Sequence, residues 1–405
     1  MPSTPPEGEP VPVDGSLPAA ALRELSGRAF GVYVHVPFCA SRCGYCDFNT
    51  YTSTELGGGS QQEAYAGTVL DELALAQRAL DGAARPVRSV FVGGGTPTLL
   101  DPDELGRILE GIDKAFSLEP DAEITTEANP ESVTPTSLRR LRAVGFTRVS
   151  LGMQSVAPHV LTTLDRRHTP GRAGQAAAEA REVGFEHVNL DLIYGTPGER
   201  PEDFAASLDA VVAAGVDHVS AYSLIVEEGT RLAARVRRGE LAVPDDDVAA
   251  DRYLAAEQAL TGAGLRWYEV SNWARPGGAC RHNLGYWHGE GWWGLGPGAH
   301  SHVGGVRWWN VRHPTAYARR LAAGESPGQA REVLTTAQRH VEDVMLRLRL
   351  AEGLPLHRLS AQEQDAAVRL VAQGLLDPAA HAAGDASLTL RGRLLADRVV
   401  TDLLS

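Results

Sequence analysis

Lysine is almost missing from this chain. Of its 38 basic residues only Lys114 is a lysine, and it sits in a helical stretch. Pyridoxal phosphate enzymes and Schiff-base aldolases need a lysine amine as a covalent handle. A phosphate-binding P-loop needs a lysine within a glycine turn. Neither chemistry has its residue here. Positive charge is scarce as well: the formal net charge is −13. Nucleic-acid binders carry a basic face, so no nucleic-acid partner is expected, and the acidic excess reads as solubility. No uninterrupted apolar run approaches the ~18 residues that would suggest a membrane span. The start of the chain lacks a basic region followed by an apolar stretch, so no secretory signal is expected and a cytoplasmic location is the default. Cysteine is rare too. Three of the four crowd into Cys39–Cys46, and Cys280 stands alone. A disulfide framework would spread them in pairs. Clustered thiols without an export signal point to metal instead.

Apolar and charged residues occur in the proportions of a globular protein, and 405 residues suffice for one large domain with extensions or for two to three domains. Four regions are expected. Residues 1–28 open on a proline-rich stretch without apolar period and are expected to be disordered. Residues 29–242 repeat a unit of apolar run, loop and helix. The runs are Gly31–Val36, Val87–Val92, Glu123–Ala128, Arg148–Met153, His187–Tyr194 and His218–Ile225. Helices are expected near Gln61–Leu80, Asp101–Phe116, Thr134–Val144, Pro170–Val183 and Pro201–Ala214. This alternation predicts a parallel sheet with helical crossovers. Six such units fit either an open doubly wound sheet or a partial barrel. Polar residues at the ends of several runs favour a shared site over a barrel mouth: Cys39, Gly93–Thr96, Glu127, Gln154, Asp191 and Tyr222.

Residues 243–330 read as an aromatic-rich connecting region that opens on a helix at Asp245–Gly262 and holds all seven tryptophans. Residues 331–405 predict helices at Thr335–Leu350, Ala361–Gly374 and Gly392–Leu404 with a short strand at Ser387–Leu390, a small, mostly helical, winged-helix-like domain. Such a domain serves DNA binding or protein contacts equally, and the acidic balance favours contacts.

The cysteines are spaced C-x3-C-x2-C in VYVHVPFCASRCGYCDFNT (Val32–Thr50). Three thiolates on a short loop can hold three irons of a 4Fe–4S cubane and leave the fourth open to a small molecule. A structural zinc site would want four closed ligands, and His35, the only nearby candidate, lies on the apolar strand. With Tyr45 before the last cysteine, this segment resembles the signature of the radical S-adenosylmethionine (SAM) superfamily. The resemblance implies an α/β fold built on a six-stranded partial (β/α) barrel, with Cys39, Cys43 and Cys46 as cluster ligands. It also implies SAM on the open iron, where an electron from the cluster can cleave it to methionine and a 5′-deoxyadenosyl radical.

The strings YVHVPFC, GGGTPT, EANP, GMQS and NLDLIYGTP are similar to one branch of that superfamily. It contains oxygen-independent coproporphyrinogen III dehydrogenase and the HemW heme chaperones, and the similarity runs from about Gly31 to the C-terminus. It implies SAM contacts at Tyr33, Gly94, Gly95, Thr96, Glu127, Gln154, Arg166 and Asp191, with Tyr222 and Leu224 as weaker assignments. Glycines let a backbone approach a ligand closely, a carboxylate such as Glu127 suits ribose hydroxyls, and the Arg166 fork suits the SAM carboxylate.

Two features separate the members of the branch. The dehydrogenase has a further cysteine two residues after its last cluster ligand, where this chain has Phe48. CRHNLGYW (Cys280–Trp287) resembles the HNxxYW motif of the heme chaperones. The resemblance therefore implies heme as a third cofactor, with His282 as a candidate axial nitrogen and Tyr286 and Trp287 as part of an apolar shell. His288, His300 and His302 compete with His282. Cys280 lacks the C-x-x-C-H spacing of covalent heme attachment. The expected function is heme binding and delivery to an acceptor protein, a membrane respiratory enzyme being the plausible class, with a homodimer possible. The alternatives are coproporphyrinogen III dehydrogenase and a radical enzyme acting on another porphyrin-like substrate.

Overall fold

The computed structural model describes residues 7–26, 28–56, 60–83, 86–166 and 169–405. Six apolar runs become six parallel strands in sequence order: β1 (Phe30–Val36), β2 (Val87–Gly94), β3 (Leu118–Ala128), β4 (Arg148–Gln154), β5 (His187–Tyr194) and β6 (His218–Ser223). Both faces of these strands are largely buried, and along them apolar side chains alternate with polar ones, as Val188, Leu190 and Leu192 of β5 do with Asn189 and Asp191. In β1, Val32, Val34 and Val36 have no more than trace exposure. The crossovers are helices α2 (Tyr65–Leu80), α3 (Pro102–Phe116), α4 (Pro135–Ala143), α6 (Arg172–Glu182) and α7 (Pro201–Ala214), with the short α5 (Pro158–Thr163) after β4. Their starts are locally encoded. Asp101 caps α3 by accepting from the Asp103 amide at 2.9 Å, with Pro102 in the first turn. Thr134 and Ser137 form a capping box on α4.

The sheet curls. Glu127 of β3 acts electrostatically on Tyr33 of β1, on Asp191 of β5 and on Tyr222 of β6. Residues of the first, third, fifth and sixth strands thus lie within reach of one another's charge, in keeping with the curl of a partial barrel.

Region 243–330 is more than a connection. Strands β7 (Arg266–Glu269) and β8 (Asn272–Ala274) form a hairpin that adds antiparallel to β6. At the other edge β9 (Gly291–Leu295) pairs parallel to β1, followed by antiparallel β10 (His300–Val303), β11 (Val306–Asn310) and β12 (Gly328–Val333). The result is a twelve-stranded sheet in the order β12-β11-β10-β9-β1-β2-β3-β4-β5-β6-β8-β7. After α8 (Arg231–Arg237) and α9 (Asp246–Gly262), and between the two additions, α10 (Arg281–Trp287) crosses the underside of the barrel. The tryptophans serve this extension: Trp273, Trp293, Trp308 and Trp309 are buried, and the Trp293 and Trp308 rings meet edge to face at 4.8 Å.

The expected disorder of the N-terminal segment is corrected over residues 7–26. Glu9 and Arg331 exchange backbone hydrogen bonds of 2.8 Å along β12, reinforced by a 2.7 Å ion pair between their side chains. Helix α1 (Ala19–Leu25) then buries Ala21 and Leu25, and Val11 and Leu17 pack on the core. The segment has no period of its own because its order comes from an edge strand more than 300 residues away in sequence. Residues 1–6 and 27 lie outside the described residues.

The C-terminal unit has its own small core around Val344, Leu354, Leu370, Leu376 and Val399. Its main helices are Thr336–Arg347, Ala361–Ala372 and Ala396–Leu403. The strand expected at Ser387–Leu390 lies two residues earlier, at Asp385–Ala386, pairing with Leu354–Pro355. Arg393 ties this unit to the helix Asp246–Gly262 through Glu257 at 2.9 Å.

Candidate cluster and SAM site

β1 ends at Val36, and after Pro37 the chain turns through Phe38–Cys39, which pairs parallel to Tyr51–Thr52. The cysteine loop is thus closed on itself at its base. It is pinned from outside as well. Gly44 donates to Leu164 O at 3.0 Å, its carbonyl accepts from Leu232 N at 2.8 Å, and Arg231 reaches Arg42 O. Tyr45 packs with Ala157, Val160, Leu164, Ile193, Leu224 and Leu232. Cys39, Cys43 and Cys46 are free thiols, each half-buried. Burial raises the Cys46 thiol to about 11 in the absence of metal. Among the described residues no three His, Cys, Asp or Glu side chains close around one ion. A cubane asks for something wider, because each thiolate takes a different iron. His35 is no fourth ligand: its ring is buried, with Nε2 2.9 Å from Asn49 O and Nδ1 3.0 Å from Tyr33 Oη.

The glycine turn after β2 lies against this loop. Gly95 N donates to Val36 O and Thr96 N to Phe38 O, both at 2.7 Å. A Cβ on Gly95 would collide with Phe38 O and stand 3.0 Å from Cys39 Sγ. Gly94 adopts φ +111°, and a Cβ there would come within 2.7 Å of the His35 ring. The turn has spent its N–H groups internally, so it offers acceptors, which suits an ammonium group.

Glu127 accepts from Gly94 N at 2.9 Å through one carboxylate oxygen. Burial pushes its pKa up to about 7, against the pull of that hydrogen bond. Gln154 ends β4 with φ +65°, a left-handed conformation uncommon outside glycine. A Cβ on neighbouring Gly152 would fall 2.7 Å from Arg166 Nη2 and displace the guanidinium. Arg166 donates to Gly152 O at 3.0 Å and to Cys43 Sγ at 3.4 Å, and its Nε is buried without a protein partner. Asp191 accepts from Ser150 at 2.8 Å, and burial raises its pKa. Tyr33, Gly94, Gly95, Thr96, Glu127, Gln154, Arg166 and Asp191 therefore gather at the same end of the barrel as the thiols. These residues fit a cluster bearing a small zwitterion. They combine three thiols on one loop, a cradle that a Cβ would fill, and an unpaired guanidinium nitrogen.

His282 is placed differently. It is buried in the barrel floor on α10, stacked on Phe91 at 5.3 Å and 6.5 Å from the Tyr33 ring. Its Nδ1 lies 2.9 Å from Ser89 Oγ and its Nε2 2.9 Å from Tyr286 Oη. Burial lowers its pKa to about 3, so the ring is neutral. Asn283 and Trp287 turn to the buried carboxyl of Glu269. Glu123 accepts from Arg281 N at 2.8 Å while holding Arg148 at 2.8 Å in a fully buried ion pair. The expected heme nitrogen thus has no free lone pair or proton in this arrangement, and Tyr286 is a partner of the floor rather than part of an open shell. Among the competitors, His302 Nδ1 lies 3.0 Å from Glu290 O and His288 is paired with Glu352 at 2.8 Å. Sequence reasoning missed Ser89, Glu269 and Asn49. Ser89 leaves a trace, a small polar residue interrupting an apolar strand.

Residues 33–211 match the family model for the radical SAM superfamily. The heme chaperone HemW of Mycobacterium tuberculosis is 58% identical over 383 residues, covering 95% of this chain and 97% of that protein. The heme chaperone HemW of Escherichia coli is 35% identical, covering 80% and 83%. Among solved structures, Escherichia coli coproporphyrinogen III oxidase (HemN), a radical SAM enzyme, is similar with a TM-score of 0.79 at 24% identity, over 95% of this chain and 92% of that one. That last likeness bears on the fold.

Proposed function

The chain belongs to the HemW family within the radical SAM superfamily, and from that membership we propose that it binds heme and delivers it to an acceptor protein. The observation that carries this reading is the 58% identity to a heme chaperone along almost the whole of both chains. The family brings a 4Fe–4S cluster and SAM. Cys39, Cys43 and Cys46 would hold three irons. The Gly94–Thr96 turn would accept from the SAM ammonium, Glu127 from ribose hydroxyls, and Arg166 would pair with the carboxylate. Tyr33, Gln154 and Asp191 would line the rest of the pocket. When bound, the cluster supplies an electron to SAM. The chain's own residues orient the ligand and keep its charges paired.

Phe48 supports the carrier over the dehydrogenase. It is 59% exposed beside the cluster loop, where the dehydrogenase has its further cysteine. The cluster then serves heme transfer or assembly of a homodimer. The acceptor we infer is a respiratory heme enzyme at a membrane. Among the described residues this chain has no helix long and apolar enough to cross one.

The test is anaerobic cluster reconstitution followed by hemin titration at the Soret band. Stoichiometric, saturable binding and passage of heme to an apo-acceptor support the reading. Absence of specific binding together with turnover of coproporphyrinogen III would overturn it. The axial ligand is tested in parallel. Heme reaches His282 only if α10 leaves the barrel floor, since Ser89 and Tyr286 hold both ring nitrogens. A His282→Ala variant that folds, loses the Soret band and recovers it with added imidazole assigns the ligand there. Unchanged binding removes His282 as ligand and leaves the carrier reading standing.

A further inference from the structure

Asn49 follows the last cluster cysteine by three residues, at the point where the loop returns to its base. Its amide nitrogen donates to Pro297 O at 2.9 Å and to Arg312 O at 2.8 Å. Its side-chain oxygen accepts from Tyr51 Oη at 3.2 Å. Its backbone carbonyl lies 2.9 Å from His35 Nε2. A carbonyl can only accept, so His35 carries its proton on Nε2, and Nδ1 must accept the hydroxyl proton of Tyr33. Asn49 thereby touches three things at once: the cluster loop, the wall of the SAM pocket, and the turns that flank β10 and β11.

Those turns are braced by buried hydrogen bonds. Gly296 N donates to buried Glu72 at 2.8 Å, and Gly296 O accepts from Asn310 at 2.9 Å. Glu72 also accepts from Asn310 at 2.7 Å and from Tyr317 at 2.5 Å. Gly298, at φ +75°, brings its backbone against the Asn49 amide, where a Cβ would stand 2.6 Å from Nδ2. The far wall of the clamp is therefore fixed by a buried carboxyl, and the near wall is the cluster loop.

We propose that Asn49 is a positioning residue for the cluster: its side-chain amide clamps the Cys39–Cys46 loop to the β9–β11 extension and so holds in place its backbone carbonyl, which through His35 sets the direction of the Tyr33 hydroxyl. The extension holds the loop in the shape that places its thiols, so changes in the extension reach the cluster through this amide. The proposal rests on the cluster reading above. Without Asn49 the loop keeps its outer anchors at Leu164 and Leu232 but loses the inner one.

The experiment measures iron release to a ferrous chelator from the anaerobically reconstituted protein, with the electron paramagnetic resonance spectrum of the reduced cluster recorded with and without SAM. Asn49→Asp keeps the size and removes both donors. Gly298→Ala attacks the same contact from the other side. Gln61→Ala is the control, since Gln61 bonds Thr315 at 2.8 Å between neighbouring segments without touching the loop. Both test variants are expected to release iron about tenfold faster, the equivalent of ~1.4 kcal/mol, and to show a weakened spectral response to SAM. The control is expected to match the wild type. Iron release at the wild-type rate in both test variants overturns the proposal. So does faster release matched by an equal loss of apo-protein stability, which marks a general folding defect. Failure of the wild type to take up iron would instead overturn the cluster reading itself.

Discussion

Tyr286 Oη lies 2.9 Å from Nε2 of His282, one turn earlier on α10, while Nδ1 of the same ring lies 2.9 Å from Ser89 Oγ. The HNxxYW motif is therefore turned inward, and its histidine is shared between β2 and its own helix. Below pH 6 most histidines charge, but this one stays neutral through burial.

Replacing His282 by alanine is expected to cost about 2–4 kcal/mol, because it opens a cavity in the floor and strands two buried hydroxyls. Urea unfolding of the cluster-free protein reads this directly. A cost below about 0.5 kcal/mol would show that the ring is not holding the floor.

Arg148 and Glu123 form the other half of that floor. Arg148 also donates to Gly278 O at 2.9 Å. Arg148→Met leaves a buried carboxylate without its counter-charge and is expected to destabilise by about 3–5 kcal/mol. Glu123→Gln on the same background is expected to recover part of that loss, since the charge is removed. A double-mutant cycle in urea reads the coupling, and additive losses would refute it.

Glu269 gives a pH dependence. Burial raises its carboxyl to about 8, although Asn272, Trp287, Asn283 and Tyr268 all pull it down. An acid whose folded pKa lies above its unfolded value favours folding at low pH. Its contribution is complete below about 4.5 and is lost as pH rises through about 8, with a slope up to ~1.4 kcal/mol per pH unit. Glu269→Gln cannot ionise, so its melting temperature should fall less than that of the wild type between pH 6 and pH 8.5. Parallel curves would place the Glu269 titration elsewhere.

Cysteine replacement separates the two thiol environments. Cys39→Ser, Cys43→Ser and Cys46→Ser should each prevent assembly of a stable cluster of about four irons. Cys280→Ser should keep the iron count, because its sulfur is buried in the floor 3.3 Å from Glu123. Iron analysis and the visible absorbance of reconstituted protein decide it. Loss of iron in Cys280→Ser would bring that residue into the cluster site.

Much of this molecule is written in local sequence. The runs at Gly31–Val36 and His187–Tyr194 became strands because apolar residues recur at every second position, Val32, Val34 and Val36 in one and Val188, Leu190 and Leu192 in the other, and build one buried face. Asp101–Pro102 and Thr134–Pro135 started helices because side-chain caps act within three residues. The cysteine spacing marked a cluster loop because the three ligands lie on eight consecutive residues. Folding over long distances decided the rest. β9 pairs with β1 some 260 residues away, and Glu9 pairs with Arg331, so no window of sequence contains either partner with its mate. His282 reads as a candidate ligand in the sequence because one of its two hydrogen-bond partners, Ser89 on β2, is 193 residues away, while Tyr286 is one turn on in its own helix. Residue type set which chemistry this chain can carry, and tertiary contact decided which of its nitrogens and thiols are open to perform it.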